Sequence, residues 1–449
     1  MKSLLFGREC LKSEIPEALF CEMGSDKQIV ERPTAIKKKG DFYCLRCQSK
    51  MIPTAASDCY CKANCAYCRN CLKMGKVRAC DSFYTIEEPN AFLIRENILE
   101  WNGKLSDQQA EASEAIIQSI HKNETRLLWA VAGAGKTEML FSGIEEAIRQ
   151  QKRICIATPR VDVVLELSPR IQQAFPSIPL STLYGGMEEP YSYRQIVVAT
   201  THQLYRFKEA FDVLIIDEVD AFPFHLDESL NFAANKARKS LSTLIYLSAT
   251  PDQNMQKELS KGNLKGTILP ARYHGYALPV PKSRYSPDWS NKLLKNPLKT
   301  NIGREMAKRI ASKKRFIVFV PNIAWMLRFE QVLQKTFPTA IFEAVHSADS
   351  HREEKVMRMR QQSLDFILTT TILERGVTFP NVDVLVIGAE DRVFTESALV
   401  QIAGRAGRSP NYPTGDVYYF HNGQTIAIKR AIKQINQMNK MAKKRGLIH

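Results

Sequence analysis

The chain has 449 residues, enough for about three domains at ~150 residues each. Its 44% hydrophobic and 24% charged residues exclude a mainly disordered chain, and no apolar run approaches the ~18–20 residues needed to span a bilayer. Lys and Arg number 63 against 47 Asp and Glu, a net charge of +16 that favours a polyanionic partner, nucleic acid or anionic lipid, over a neutral one.

The N-terminal Met1–Glu9 has too short an apolar core for a secretory signal, so a cytoplasmic location is expected. Residues 1–40 read as an N-terminal segment in which Met23–Lys39 is a loose, basic connector. Ten of the eleven cysteines fall in the first 80 residues. In a reducing compartment such crowding points to metal ligation rather than disulfides. Cys44-Leu-Arg-Cys47 and Cys68-Arg-Asn-Cys71 form two C-x-x-C pairs. Each pair can fold into a knuckle that aims both thiolates at one ion, and four sulfurs at ~2.3 Å close a structural Zn²⁺ site. Such a site supplies the stability that so short a segment cannot get from a core. A zinc module over 41–80 is therefore expected, held by Cys44, Cys47, Cys68 and Cys71. The neighbouring Cys59, Cys61 and Cys65 leave other ligand sets open, Cys65-x-x-Cys68-x-x-Cys71 among them. A second metal is not expected.

From Leu105 onward short β-rich runs alternate with helical stretches: Arg126–Val131, Arg153–Ala157, Gln195–Ala199, Val213–Ile216 and Thr243–Leu247. A second series follows at Phe316–Val320, Ala340–Val345, Phe366–Thr369, Val384–Ile387 and Val417–Phe420. Strand-then-helix repetition with continuously apolar strands predicts parallel sheets covered on both faces. The fold class is α/β: two parallel-sheet lobes, over 81–275 and 301–430, behind the small four-cysteine module. Prolines at 279, 281, 287 and 297 mark 276–300 as a basic linker, and the run of Lys and Arg without acids reads 431–449 as a basic tail.

The first lobe opens with Ala130-Val-Ala-Gly133-Ala134-Gly135-Lys136-Thr137, after an apolar strand and before a helical stretch at Glu138–Gln151. Gly133 and Gly135 let backbone N–H groups turn inward around phosphate oxygens, at a helix start that already favours anions. Lys136 would reach the β- and γ-phosphates of ATP, and the Thr137 hydroxyl would ligate Mg²⁺. Further on, Val213-Leu-Ile-Ile precedes Asp217-Glu218-Val219-Asp220. Carboxylates at the end of a buried strand need a cation. Asp217 would hold the Mg²⁺ and Glu218 would orient or deprotonate the attacking water. In the second lobe, Gln401-Ile-Ala-Gly404-Arg405-Ala-Gly407-Arg408 places two arginines on one face, where guanidinium groups would neutralise charge developing on the γ-phosphate. An ATP site shared by two lobes would move whatever both lobes grip.

In this order the motifs resemble the core of a superfamily 2 helicase. Leu105-Ser-Asp-Gln-Gln109 is similar to the adenine-side glutamine motif, with Gln109 the implied base contact. Ala134–Thr137 and Asp217–Asp220 are similar to motifs I and II, and Ser248-Ala249-Thr250 to the motif that links hydrolysis to nucleic acid. Thr370–Gly376 and Gln401–Arg408 are similar to motifs V and VI, which adds Gln401 to the implied catalytic set. The four-cysteine module ahead of this core narrows the resemblance to the ComFA family of late competence proteins. Tyr43-Cys-Leu-Arg-Cys47, Tyr67-Cys-Arg-Asn-Cys71 and the run at 217–224 carry it. The family implies an ATP-driven motor for single-stranded DNA in natural transformation, working with the channel protein ComEC and the companion ComFC at the inner face of the cytoplasmic membrane. Ala130 in place of a glycine, Thr378 where many relatives have Asp, and the extra cysteines are departures. Two other readings stay open: a PriA-like primosomal helicase, and a nucleotide-gated DNA-binding scaffold.

A sequence-tolerant motor grips phosphates and stacks bases. The helicase pattern implies backbone contacts from Arg160, Thr200, Thr201, Thr370 and Thr371, with helix capping the alternative for the threonines. Tyr273, Tyr276, Tyr285 and Trp289, set in the basic stretch 260–315, are candidates for base stacking or for core. The basic Lys429–His449 is open to DNA, to anionic lipid, to a partner or to packing on the second lobe.

Overall fold

Every residue of Phe211–Ile216, Ile154–Thr158 and Ile196–Thr200 is buried, so these strands leave no face for water. Strands of this kind belong in the middle of a sheet covered on both sides. In the computed structural model, which describes residues 2–22, 26–187, 189–409 and 411–448, they sit there. The first sheet runs in the order Leu180–Leu183, Ile196–Thr200, Ile154–Thr158, Phe211–Ile216, Arg238–Ser248, Thr125–Ala130, Lys265–Leu269, and its first five strands pair in parallel.

The second sheet is parallel throughout: Lys282–Tyr285, Val417–His421, Asp383–Ile387, Phe316–Phe319, Phe366–Thr369, Phe342–Val345. Residues 276–300, read from the sequence as a linker, carry its edge strand and the helix Trp289–Lys295. Trp289 packs edge-on against Trp325, with centroids 5.0 Å apart, and donates its indole N–H to Glu390 at 2.8 Å. Tyr273, Tyr276 and Tyr285 remain exposed. The basic C-terminal stretch forms the helix Ile426–Lys444, whose Ile428, Ala431, Ile435, Met438 and Ala442 are buried. Of the alternatives for that stretch, packing on the second lobe is the one observed.

The N-terminal region is built on a three-stranded antiparallel sheet, Cys10–Leu11, Ser82–Thr85, Val30–Pro33. The cysteine module lies between the last two of these strands in sequence, as two short hairpins: Ala35–Lys38 with Asp41–Cys44, and Ile52–Thr54 with Cys65–Tyr67. The expected connector Met23–Lys39 thus contains two strands. Met1, Met23–Ser25 and His449, which fall in the segments expected at the two ends, lie outside the described residues. The module's Met51, Met74 and Val77 share one apolar cluster with Val197, Tyr205, Phe207 and Leu230 of the first lobe. Farther along, Arg153 is fully buried and donates to the Glu88 carboxylate and to the Tyr191 hydroxyl at 2.5 Å, tying the segment around Glu88 to the sheet.

The chain divides into two units: Met1–Leu128 with Thr137–Thr267, and Trp129–Lys136 with Ile268–His449. Among the described residues no helix is long and apolar enough to cross a membrane.

Candidate nucleotide, nucleic-acid and metal sites

In the first unit the acidic residues emerge where the buried strand Phe211–Ile216 ends. The Asp217 N–H donates to the Ala157 carbonyl at 2.8 Å, and Asp217 Oδ1 accepts the Glu218 N–H at 2.8 Å. Glu218 has φ 54°, a left-handed conformation that side chains other than glycine seldom adopt and that clusters at functional sites. Strand register puts Ile216 beside Tyr246, so the end of Arg238–Ser248 arrives alongside this turn. There Asp220 accepts the hydroxyls of Ser248 and Thr250, each at 2.6 Å, while the Thr250 N–H donates to Ser248 Oγ at 2.9 Å. Hydrogen bonds to a charged group contribute about 1.5–3 kcal/mol each, so this carboxylate firmly holds the Ser-Ala-Thr turn. Thr137 is buried and precedes a short 3₁₀ turn at Glu138–Leu140, which leads into the helix Phe141–Arg149. Gln109 is buried in the first turn of Asp107–Lys122, where its Oε1 accepts from the Ser106 N–H and hydroxyl, both at 2.9 Å, closing a capping box.

In the second unit the loop Trp129–Lys136 lies against the turn that follows the helix Glu396–Ala403. Gly133 and Gly135 have φ 83° and 74°, which frees the loop's N–H groups to line a concavity for an anion. The Gly133 carbonyl accepts the Tyr273 N–H at 3.1 Å, and the Val131 N–H donates to Leu269. At Gly404 a Cβ would come within 2.5 Å of the Ala132 Cβ, so glycine is what allows that turn to approach the loop. Among the described residues no partner of the Lys136 ammonium is seen. Arg405 is buried and donates Nε–H to the Glu374 carbonyl at 2.9 Å. Arg408 donates Nε–H to the Gly404 carbonyl at 2.9 Å and a second N–H to the Thr378 hydroxyl at 3.0 Å. Gln401 is buried on the helix Glu396–Ala403, which ends before Arg405 and Arg408, so the two arginines expected on one helical face lie in and after the turn that follows it.

Arg272 was not legible as a site residue, and no local pattern marks it. Only 1% exposed, it donates to the carbonyls of Gly407 and Gly404, the latter at 3.3 Å. Its aliphatic stem lies 3.5 Å from where a Cβ on Gly133 would stand. No carboxylate pairs with it among the described residues. Burial first, and then the charge of Arg408, pushes its pKa down to about 9. Two guanidiniums this close, the buried one held by carbonyls alone, create a local positive potential beside the loop.

The residues expected at nucleic acid all sit where a strand hands over to a helix. Thr200 ends its strand beside Thr158 and precedes the turn Thr201–Arg206; Arg160 precedes Val161–Ala174; Thr370 precedes Thr371–Leu373. No side chain caps any of these three helix starts, so capping is not what Thr200 and Thr370 do. Thr200 and Thr201 are buried, whereas Arg160, Thr370 and Thr371 are partly exposed.

The sulfurs of Cys44, Cys47, Cys68 and Cys71 lie within 4.8 Å of one another, all buried. Cys44 to Cys71 is 3.9 Å and Cys47 to Cys68 is 3.4 Å. The Gln48 N–H donates to the Cys44 carbonyl across the first C-x-x-C pair, and the Met74 N–H to the Cys71 carbonyl in the turn that follows the second. Bonds from Cys44 pull the Cys47 and Cys68 thiols down, while the same sulfur network pushes Cys44 and Cys71 up. Four soft donors this close fit a tetrahedral Zn²⁺. The alternative sets built on Cys59, Cys61 and Cys65 are not observed. Those three join Cys80 in a separate sulfur group, which is a correction to the expectation of one cluster. Cys80 was missed because it belongs to no C-x-x-C pair. Arg46, between Cys44 and Cys47, is fully buried and donates to Glu14 at 2.9 Å and to the Met74 carbonyl at 3.3 Å.

Two parallel-sheet lobes, a glycine-lined phosphate loop and an Asp-Glu-Val-Asp strand end define a superfamily 2 helicase core. The model of the type III restriction enzyme res subunit matches residues 102–253, and the helicase conserved C-terminal domain matches 298–410. S. cerevisiae Dbp5, solved bound to RNA and ADP BeF3, shares this fold: TM-score 0.54 at 12% identity, covering 75% of this chain and 92% of that one. The competence protein ComFA N-terminal domain matches residues 1–85. Competence protein ComFA of Bacillus subtilis is 46% identical over 84% of this chain and 81% of its own length, and that of Streptococcus pneumoniae 40% identical over 93% and 95%. The chain belongs to the ComFA family.

Proposed function

We propose that this ComFA-family helicase is an ATP-driven motor that moves single-stranded DNA during uptake of transforming DNA across the cytoplasmic membrane. The observation that carries the reading is the turn at 217–220. One strand end presents Asp217 and the left-handed Glu218, and its Asp220 grips Ser248 and Thr250, the residues that pass hydrolysis on to nucleic acid in this helicase class. The loop N–H groups around Gly133, Ala134 and Gly135 hold the phosphates of ATP, and Lys136 binds the β- and γ-phosphates. Thr137 and Asp217 offer hard oxygen donors that suit Mg²⁺. When bound, that ion neutralises phosphate charge. Glu218 takes the proton of the attacking water, Gln401 orients it, and Arg405 and Arg408 stabilise the charge that develops on the γ-phosphate. Gln109 contacts the adenine.

Arg160, Thr200, Thr201, Thr370 and Thr371 contact the DNA backbone, supported by their shared place at strand-to-helix junctions, where amides and hydroxyls bind phosphate without reading bases. The net charge of +16 supports the same polyanionic substrate. Zinc at Cys44, Cys47, Cys68 and Cys71 is structural. ComEC and ComFC are the partners, at the inner face of the membrane.

The test is the ATPase rate with single-stranded DNA, duplex DNA and RNA, together with strand displacement past a protein roadblock. Strong single-strand stimulation with roadblock displacement and little unwinding is expected. Efficient fork unwinding would instead favour a PriA-like role, and turnover without displacement a nucleotide-gated scaffold.

A further inference from the structure

We propose that Cys59, Cys61, Cys65 and Cys80 form a second zinc site, separate from the one at Cys44, Cys47, Cys68 and Cys71. Their sulfurs all lie within 4.8 Å of one another. Cys59 stands 3.5 Å from Cys80 and 3.4 Å from Cys61. Zn–S bonds of ~2.3 Å in a tetrahedron place neighbouring sulfurs roughly 3.7 Å apart. The observed spacings fall close to that value, and all four cysteines are free thiols.

Three separate pieces of backbone converge here. Cys65 opens the strand Cys65–Tyr67, paired with Thr54. Cys59 and Cys61 come from the loop over 55–64 that joins the two strands of that hairpin. Cys80 comes from the tight turn in which the Asp81 N–H donates to the Arg78 carbonyl and the Arg78 N–H to Asp81 Oδ2 at 2.8 Å. Within 55–64 the only buried side chain is Cys59. The loop therefore has no apolar anchor to offset its ordering entropy. Its polar ties are the Tyr60 hydroxyl, donated to Asp81 at 2.5 Å and to the Cys80 carbonyl at 3.4 Å, and the Arg78 guanidinium over the Tyr60 ring. These reach the same turn that carries Cys80. A four-thiolate ion would clamp loop, hairpin and turn together.

The two sites differ in access. The ligands of the first are 0–1% exposed, whereas Cys61 is half-buried and Cys80 exposed. An ion with an exposed ligand is open to attack by chelators and electrophiles, so the second ion leaves first.

The test is native mass spectrometry and metal analysis of the full chain purified under reducing conditions, with zinc release followed by a chromogenic chelator. Two zinc ions per chain are expected, released in a fast and a slow phase. Cys59→Ser with Cys80→Ser should retain one ion and lose the fast phase. Cys61→Ser with Cys65→Ser should do the same, which guards against a folding defect peculiar to one pair. One zinc per wild-type chain, with Cys59, Cys61, Cys65 and Cys80 open to thiol reagents or joined as disulfides, overturns the proposal. So does retention of two ions by both double variants, or loss of both ions by each.

Discussion

The carboxylate of Asp220 accepts the hydroxyl of Thr250 at 2.6 Å, and Ser248 donates to the same carboxylate at the same distance. Asp220 lies two residues beyond Glu218, so whatever repositions the glutamate is felt at the Ser-Ala-Thr turn. Thr250→Val keeps the shape and removes one charge-assisted bond of about 1.5–3 kcal/mol. We expect DNA-stimulated ATPase to fall about tenfold, with nucleotide affinity changed less than about twofold. Steady-state kinetics with and without single-stranded DNA, set beside nucleotide titration, checks the split. Equal loss in both would make the turn a simple binding element.

Glu218→Gln removes the proposed general base while preserving size, and hydrolysis should drop by about 10²–10⁴. Lys136→Ala should weaken ATP binding as well as turnover. Neither side chain supports the core, so circular dichroism and single-strand DNA binding should stay near wild type. A Glu218→Gln enzyme that hydrolyses ATP at the native rate would remove that residue from the mechanism.

Arg272 makes a sharper case, because its guanidinium is buried, has no carboxylate partner among the described residues and lies against the phosphate loop. Arg272→Gln retains a donor and removes the charge. The KM for ATP should rise about tenfold, equivalent to about 1.4 kcal/mol. Arg272→Lys, which keeps charge but not the fork to Gly404 and Gly407, should fall between the two. An unchanged KM together with a lowered melting temperature would make Arg272 purely a packing residue.

Removal of metal from the buried cysteine set should unfold more than the module. Cys44→Ser with Cys47→Ser strips two of four thiolates from a cluster continuous with the first lobe's core. The thermal midpoint of that lobe should drop by roughly 10 °C or more. Calorimetry with and without ATP reads this directly, and an unchanged midpoint would show that the sulfurs hold no structural ion.

Much of this architecture is legible in the chain. Buried central strands such as Phe366–Thr369 declare themselves because nothing but a covered sheet tolerates them. The strands of the two large sheets that escaped notice, Leu180–Leu183, Lys265–Leu269 and Lys282–Tyr285, lie at sheet edges, where one side needs no apolar cover and the residues can be polar. The phosphate loop and acidic strand end are contiguous in sequence and so were readable. Arg272 and Cys80 were not, since each acquires its role only from neighbours more than a dozen residues away. Trp289 looked equally suited to a base or a core, and only its contact with Trp325 decides the matter.

The cysteine hairpins are spliced between Val30–Pro33 and Ser82–Thr85, two strands that pair with each other, and their apolar residues merge with the first lobe. This rules out a swinging finger that meets its target independently of the engine behind it. A cell carrying a ligand mutation would lose transformation through collapse of the ATP-burning half, whatever the module touches. Genetic defects mapped there diagnose a broken chassis before they diagnose a lost handshake.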